Sequence, residues 1–184
     1  MTNSALLVMD VQKSITGRLP GDVAGFTPRL ARAVAAARSA GVPVVFVVVG
    51  LRPGHPETKS SPRFSALPDG AFTAGDPGAA IDPAVEPLPG ECVVTKKRVS
   101  AFTGSDLELV LRGAAVDHLV LTGIATSGVV LSTLRQAADL DYRLTVLADG
   151  CADADPEVHR VLTEKVFPRQ ADVTTVDDWI AGLG

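Results

Sequence analysis

The stretch LTGIATSGVVLSTLRQAADLDYRLTVLADG, Leu121 to Gly150, reads as a buried strand, a tight turn, a helix and a second strand. The first and last segments are almost continuously apolar and rich in β-branched residues, whereas the middle carries apolar residues at helical spacing. A strand, a crossover helix and another strand of this kind form a parallel unit covered on both faces. The turn GIATSGVV between Gly123 and Val130 has the form of a loop that presents a reactive group, yet none of its residues is an obvious nucleophile.

The same alternation continues outward. ALLVMD (Ala5 to Asp10), VPVVFVVVG (Val42 to Gly50), CVVTK (Cys92 to Lys96), HLVLTG (His118 to Gly123) and RLTVLADG (Arg143 to Gly150) read as strands, with ADVTTV (Ala171 to Val176) a weaker sixth. TPRLARAVAAARSAG, GSDLELVLRGAAV, SGVVLSTLRQAADLD and DPEVHRVLTEKVF read as helices. Gly41 stops the first of these, and Ser105 and Asp155 are starting caps. The expectation is an α/β fold with three layers, a six-stranded mostly parallel sheet between helices, in one domain over residues 1–184. Leu51 to Gly90 is the exception, forty residues rich in Pro, Gly, Asp and Ala without sustained periodicity. It is either an excursion over the catalytic edge of the sheet or a surface insert.

Composition narrows the function classes. A net charge of −4 with scattered Lys and Arg lacks the footprint of a nucleic-acid binder. The run MTNSALLVMD has no basic region and ends its apolar stretch at Asp10, so neither a signal peptide nor a membrane association is expected, and the cytoplasm is the expected compartment. Cys92 and Cys151 lie far apart, without the spacing of a disulfide framework or a zinc site. His55 in RPGHPE stands alone, so neither a metal nor another cofactor is expected.

Ligands of parallel sheets sit beyond the carboxyl ends of the strands. Those positions hold Asp10 and Gln12, Lys96 and Arg98, Ala125 to Val129, and Asp149 to Cys151. Asp10 and Lys96 each end an apolar run, where a charge needs a partner, and each supplies what the other lacks. The alternative is that Asp10 caps the next segment and Lys96 reaches water.

Four blocks in order, ALLVMDVQ, VVTKKRVSAFTGSDLELVLR, VDHLVLTGIATSGVV and LTVLADGCAD with the later EVH, closely resemble the isochorismatase-like hydrolases. That superfamily includes nicotinamidases, N-carbamoylsarcosine amidases and the isochorismatases proper. The resemblance implies catalytic roles for Asp10 and Lys96 and a cis peptide between Ile124 and Ala125 that aims backbone N–H groups at a substrate oxygen. Gln12, Arg98, Ile124, Ala125, Thr126, Ser127 and Gly128 are the expected substrate-binding residues. A small molecule is the expected partner.

The departure from the family is at Val129. Most members read G-x-A-T-x-x-C there, and the Cys is the nucleophile. An isopropyl group cannot attack a carbonyl, so the thioester mechanism does not carry over. Thr126 and Ser127 read as helix caps rather than nucleophiles, Cys151 as a small apolar filler, and His159 as a supporting or surface contact. The isochorismatases proper also lack the Cys and hydrolyse a vinyl ether by proton donation from the Asp. At this position Val is larger than their typical glycine and narrows the pocket. A pocket lined by Val129 and Val130 favours the protonated acid, and Lys96 favours the ion.

Three readings follow. The preferred one is thiol-independent hydrolysis of an enol ether or similar bond. The others are a lapsed hydrolase that binds a ligand or partner, and an amidase with a relocated nucleophile at Cys151 or Ser127. Arg98 and Arg52 could bind a substrate carboxylate or lie on the surface. The helix after Gly128 is apolar over more than one face, which leads to the expectation of a homodimer or homotetramer.

Overall fold

The computed structural model describes residues 3–20, 25–62 and 64–183. Met1 and Thr2 of the N-terminal run, and Gly184 at the end of the expected domain, lie outside the described residues. The strands are β1 (Ser4–Met9), β2 (Val44–Val49), β3 (Cys92–Lys96), β4 (His118–Ile124), β5 (Arg143–Ala152) and β6 (Asp172–Thr174). Their order in the sheet is β3-β2-β1-β4-β5-β6 and every pairing is parallel. The expectation of a mostly parallel sheet is thus met by a fully parallel one.

The helices are α1 (Lys13–Thr16), α2 (Phe26–Ser39), α3 (Leu107–Gly113), α4 (Leu131–Asp139), α5 (Pro156–Val161) and α6 (Val176–Ala181). Apolar clusters on the two sheet faces account for the continuous hydrophobicity of the central strands. One cluster joins Leu7, Met9 and Leu121 to Leu111 and Leu134, and the other joins Leu6, Val8 and Val120 to Phe26, Leu30 and Val34. β3 is the exception among the apolar runs, because it stands at the sheet edge with Val93 exposed. Gly41 takes φ +69 after α2, the left-handed conformation that ends a helix. Asp155 caps α5 by accepting from the N–H groups of Glu157 and Val158. Ser105 contributes at the start of α3, where its hydroxyl accepts from the Leu107 N–H.

Two details differ from the sequence-based reading. β5 runs on to Ala152, so Asp149 to Cys151 lie within the strand. Its pairing with β4 moves from Leu121–Val146 to Gly123–Cys151, two residues on one strand against five on the other. The extra residues form a bulge. The broad apolar surface of α4 is also used inside the chain. Leu134 and Ala137 are buried, and the partly buried Leu131, Ala138 and Leu140 pack against the same core. That breadth therefore needs no second subunit to explain it.

The described residues of the segment from Leu51 to Gly90 fold largely as successive turns, with short 3-10 turns at Pro77–Ala79 and Pro83–Val85. An isolated antiparallel bridge ties its Ile81 to Gln12. Phe72 packs with Val49 and Leu51, and this anchors the segment over the carboxyl end of β2.

Candidate active site

Asp10 follows β1 with φ +57, a left-handed position that Asp tolerates better than most residues. Its N–H donates to Val47 O at 2.8 Å, which fixes where the side chain starts. Lys96 is the last residue of β3, and β2 lies between these two strands. Strands two places apart are separated by about 9.5 Å, so a long side chain is needed to join their ends. Lys96 spans the gap. Its Nζ lies 2.9 Å from Asp10 Oδ2, with side-chain exposures of 1% and 8%. The ammonium also donates to the Arg98 carbonyl at 2.9 Å. The expected contact between the two charges is present, and both the cap and the snorkelling alternatives are set aside.

The pair borders a cavity of about 370 Å³. Its lining includes Ile124, Ala125, Gly128 and Val129 together with Ile15, Leu19 and Val49. Phe64, Leu67 and Phe72 come from the long segment, placing it over the edge of the sheet where the ion pair lies. The Ile124–Ala125 peptide is cis. The turn after it, Thr126–Val130, is a wide π-type turn broken at Gly128, whose ψ of −105° is not helical. Val129 is buried and lines the cavity. Val130 is fully buried in the core instead of lining the cavity.

Gly123 explains how the turn is held so close to Asp10. It adopts φ +133, and a Cβ there would overlap the Met9 carbonyl oxygen and lie 3.0 Å from Met9 Cα. Only glycine lets the end of β4 approach the end of β1 this closely.

Of the expected site residues, the structure gathers Asp10, Lys96, Ile124, Ala125, Gly128 and Val129 around the cavity. It turns four others to different work. The Gln12 side chain is buried and bonded to the Val49 carbonyl, the Val49 N–H and the Ala79 carbonyl, so it braces the long segment against β2. Arg98 directs its guanidinium to the Lys97 carbonyl at 2.7 Å. Thr126 and Ser127 do not cap the helix. The Thr126 hydroxyl bonds to His159 Nδ1 at 2.8 Å, and the Ser127 N–H donates to Asp153 Oδ2 at the same distance. His159 thus supports the turn, and its pKa is lowered because burial disfavours the cation, against the opposing charge of Asp153.

Two residues were missed. Asp153 lies just past the true end of β5 and was overlooked because the bulge displaces that end. Arg18 lies at the cavity rim in a segment without an apolar period. Among the described residues no group of three His, Cys, Asp or Glu is placed to hold a metal, and no helix is long and apolar enough to cross a membrane.

The relocated-nucleophile reading meets a physical obstacle at Cys151. It is buried on β5, with its Sγ 3.8 Å from the Leu121 carbonyl, and burial pushes the thiol up to about 12. Ser127 has its N–H committed to Asp153 and its side chain exposed outside the cavity.

Comparison with known proteins agrees with this fold. The isochorismatase domain profile matches residues 4–178. The ureidoacrylate amidohydrolase RutB of Pseudomonas syringae pv. syringae (strain B728a) is 36% identical over 208 residues, spanning 98% of this chain and 80% of that protein. A solved structure of an isochorismatase family protein from Burkholderia thailandensis superposes with a TM-score of 0.85 at 31% identity, over 98% of this chain and 95% of that one. N-carbamoylsarcosine amidase from Thermoplasma acidophilum superposes with a TM-score of 0.77 at 31% identity, over 96% and 98% respectively.

Proposed function

The chain belongs to the isochorismatase family, and from that premise we propose that it hydrolyses a small molecule without a thiol nucleophile, using Asp10 as the acid and Lys96 to hold it. The observation that carries the reading is the buried Asp10–Lys96 pair at 2.9 Å in a cavity lined by Val129, at the position where the family resemblance would put a nucleophile. A family site that keeps the acid and its lysine but has no attacking group suits a reaction begun by proton transfer.

An enol ether is the substrate type that fits. The protonated carboxyl of Asp10 donates its proton to the terminal carbon of the C=C–O unit, leaving an oxocarbenium ion and a carboxylate. Water attacks the oxocarbenium carbon and returns a proton to Asp10, and the hemiketal collapses to a ketone and an alcohol. Lys96 orients the carboxyl, and the apolar walls limit the water that enters. The names of the relatives from Pseudomonas syringae and Thermoplasma acidophilum make small amides the second class to assay, although Val129 offers no route to an acyl-enzyme. The oligomeric state, proposed to be a homodimer or homotetramer, is read by sedimentation at micromolar concentration.

The test is a screen of enol ethers and small amides before and after iodoacetamide treatment. Turnover that survives alkylation and falls about 100-fold or more in Asp10→Asn supports the reading, because an amide keeps the shape but cannot donate the proton. Turnover abolished by alkylation overturns it in favour of a cysteine. No turnover on any substrate, with amidase activity appearing in Val129→Cys, overturns it in favour of a lapsed hydrolase.

A further inference from the structure

The cavity has three charged residues on its lining, Asp10, Lys96 and Arg18. Asp10 and Lys96 are engaged with each other at 2.9 Å. Arg18 follows α1 and is exposed. Its N–H donates to Ile15 O at 3.1 Å, which ties this stretch to the cavity-lining Ile15.

The other two arginines that sequence alone brings forward are occupied. Arg98 donates to the Lys97 carbonyl, and Arg52 pairs with Glu57 at 3.4 Å. Arg18 forms no ion pair among the described residues. Asp69 and Asp76 line the neighbouring cavity that Arg18 also borders, but neither lies within ion-pair distance of it. Asp76 already accepts from the Phe72 and Gly78 N–H groups. Phe64, Leu67 and Phe72 line the same cavity as Arg18, a surface suited to a ring or a branched apolar body.

We propose that Arg18 is the specificity-determining residue of the cavity and selects small monoanions, carboxylates above all, by binding the anion at the rim while the apolar body packs against Phe64 and Phe72. A guanidinium meets a carboxylate through two parallel N–H donors, a geometry that a neutral amide cannot match. The inference rests on the cavity being the substrate site, but not on the bond that is broken there.

Calorimetry with benzoate, benzamide and benzylammonium at low ionic strength tests it. Benzoate is expected to bind the wild type about 5-fold or more tightly than benzamide, with benzylammonium weakest. That preference shrinks in 0.5 M salt, as it must for an exposed charge. Arg18→Gln abolishes the preference and leaves benzamide affinity unchanged, whereas Arg18→Lys keeps part of it. Equal affinity for benzoate and benzamide, a preference that persists in Arg18→Gln, or no binding of any probe overturns the proposal. Asp10→Asn separates the two readings. If no substrate is turned over but the Arg18-dependent preference stands in both wild type and Asp10→Asn, the hydrolytic reading fails alone. If turnover is found without the preference, the anion reading fails alone.

Discussion

Replacing Lys96 with Met keeps an unbranched apolar stem across the end of β2 and removes only the ammonium. Asp10 then loses the cation 2.9 Å from its Oδ2, and the Arg98 carbonyl loses its donor. With side chains 1% and 8% exposed, water replaces neither interaction readily. Breaking a buried pair from one side costs roughly 3 to 5 kcal/mol. For a chain of this length that is a fall in melting temperature of roughly 6 to 20 °C. The double variant Asp10→Asn/Lys96→Met removes both charges, so it is expected to be less destabilised than the two single variants summed, by about 2 kcal/mol or more. Urea unfolding of all four proteins measures this, provided that they share one m value. Additivity within about 0.5 kcal/mol would show that the two groups do not stabilise each other, and the reasoning that joins them into one site would be lost.

Gly123→Ala is expected to destabilise by roughly 3 to 5 kcal/mol, since it combines an unfavourable φ with a clash against the Met9 backbone. Gly113→Ala, where nothing lies within 4 Å of the added carbon, is the control and should stay within about 1 kcal/mol of the wild type. For His159, burial lowers the folded-state pKa, so the unfolded chain binds the proton more readily. The resulting stability is present above the unfolded value of about 6.5 and is lost as the pH falls through the lower folded value. His118 is lowered in the same direction, first by burial and then by Arg143, so His159→Gln should reduce, but not remove, the loss of stability between pH 7 and pH 5. Identical pH slopes in the two proteins would refute the His159 contribution. Intact-mass analysis after iodoacetamide at pH 8 should find Cys151 unmodified in the native protein, and adducts only at Cys92, slowly, because burial raises that thiol as well. Rapid double alkylation would contradict the burial of Cys151.

The six strands were legible because parallel strands covered on both faces leave runs such as Leu119 to Leu121 with no polar side to confuse the pattern. The Asp10–Lys96 pair was legible for the related reason that a charge ending such a run has few places to go. What escaped the sequence depended on tertiary placement. The bulge in β5 moved the strand end from Gly150 to Ala152 and hid Asp153, because ADG has no strand signal of its own and is carried by pairing with β4. The C-terminal helix α6 escaped because its six residues alternate charge and bulk too briefly to show a period. Gln12 and Arg98 were placed correctly along the chain, but their side chains make contacts that the sequence did not indicate. Position beyond a strand end brings a residue near the ligand edge, but whether it faces the ligand depends on which backbone groups there still lack a partner. Val49 and Ala79 claim the Gln12 amide, and Lys97 claims the Arg98 guanidinium.

The same competition for partners bears on why the turn keeps its shape around Val129. The Thr126 hydroxyl is taken by His159 and the Ser127 N–H by Asp153, and both of those partners come from the segment after β5. None of these bonds involves the Val129 side chain. The turn is therefore held by contacts independent of the residue at position 129, so its shape does not require any particular side chain there. A buried ion pair is weak evidence for stability, because apolar residues of similar volume do as well or better. The needs of the fold alone therefore do not account for the Asp10–Lys96 pair, and it supports the acid role proposed for Asp10.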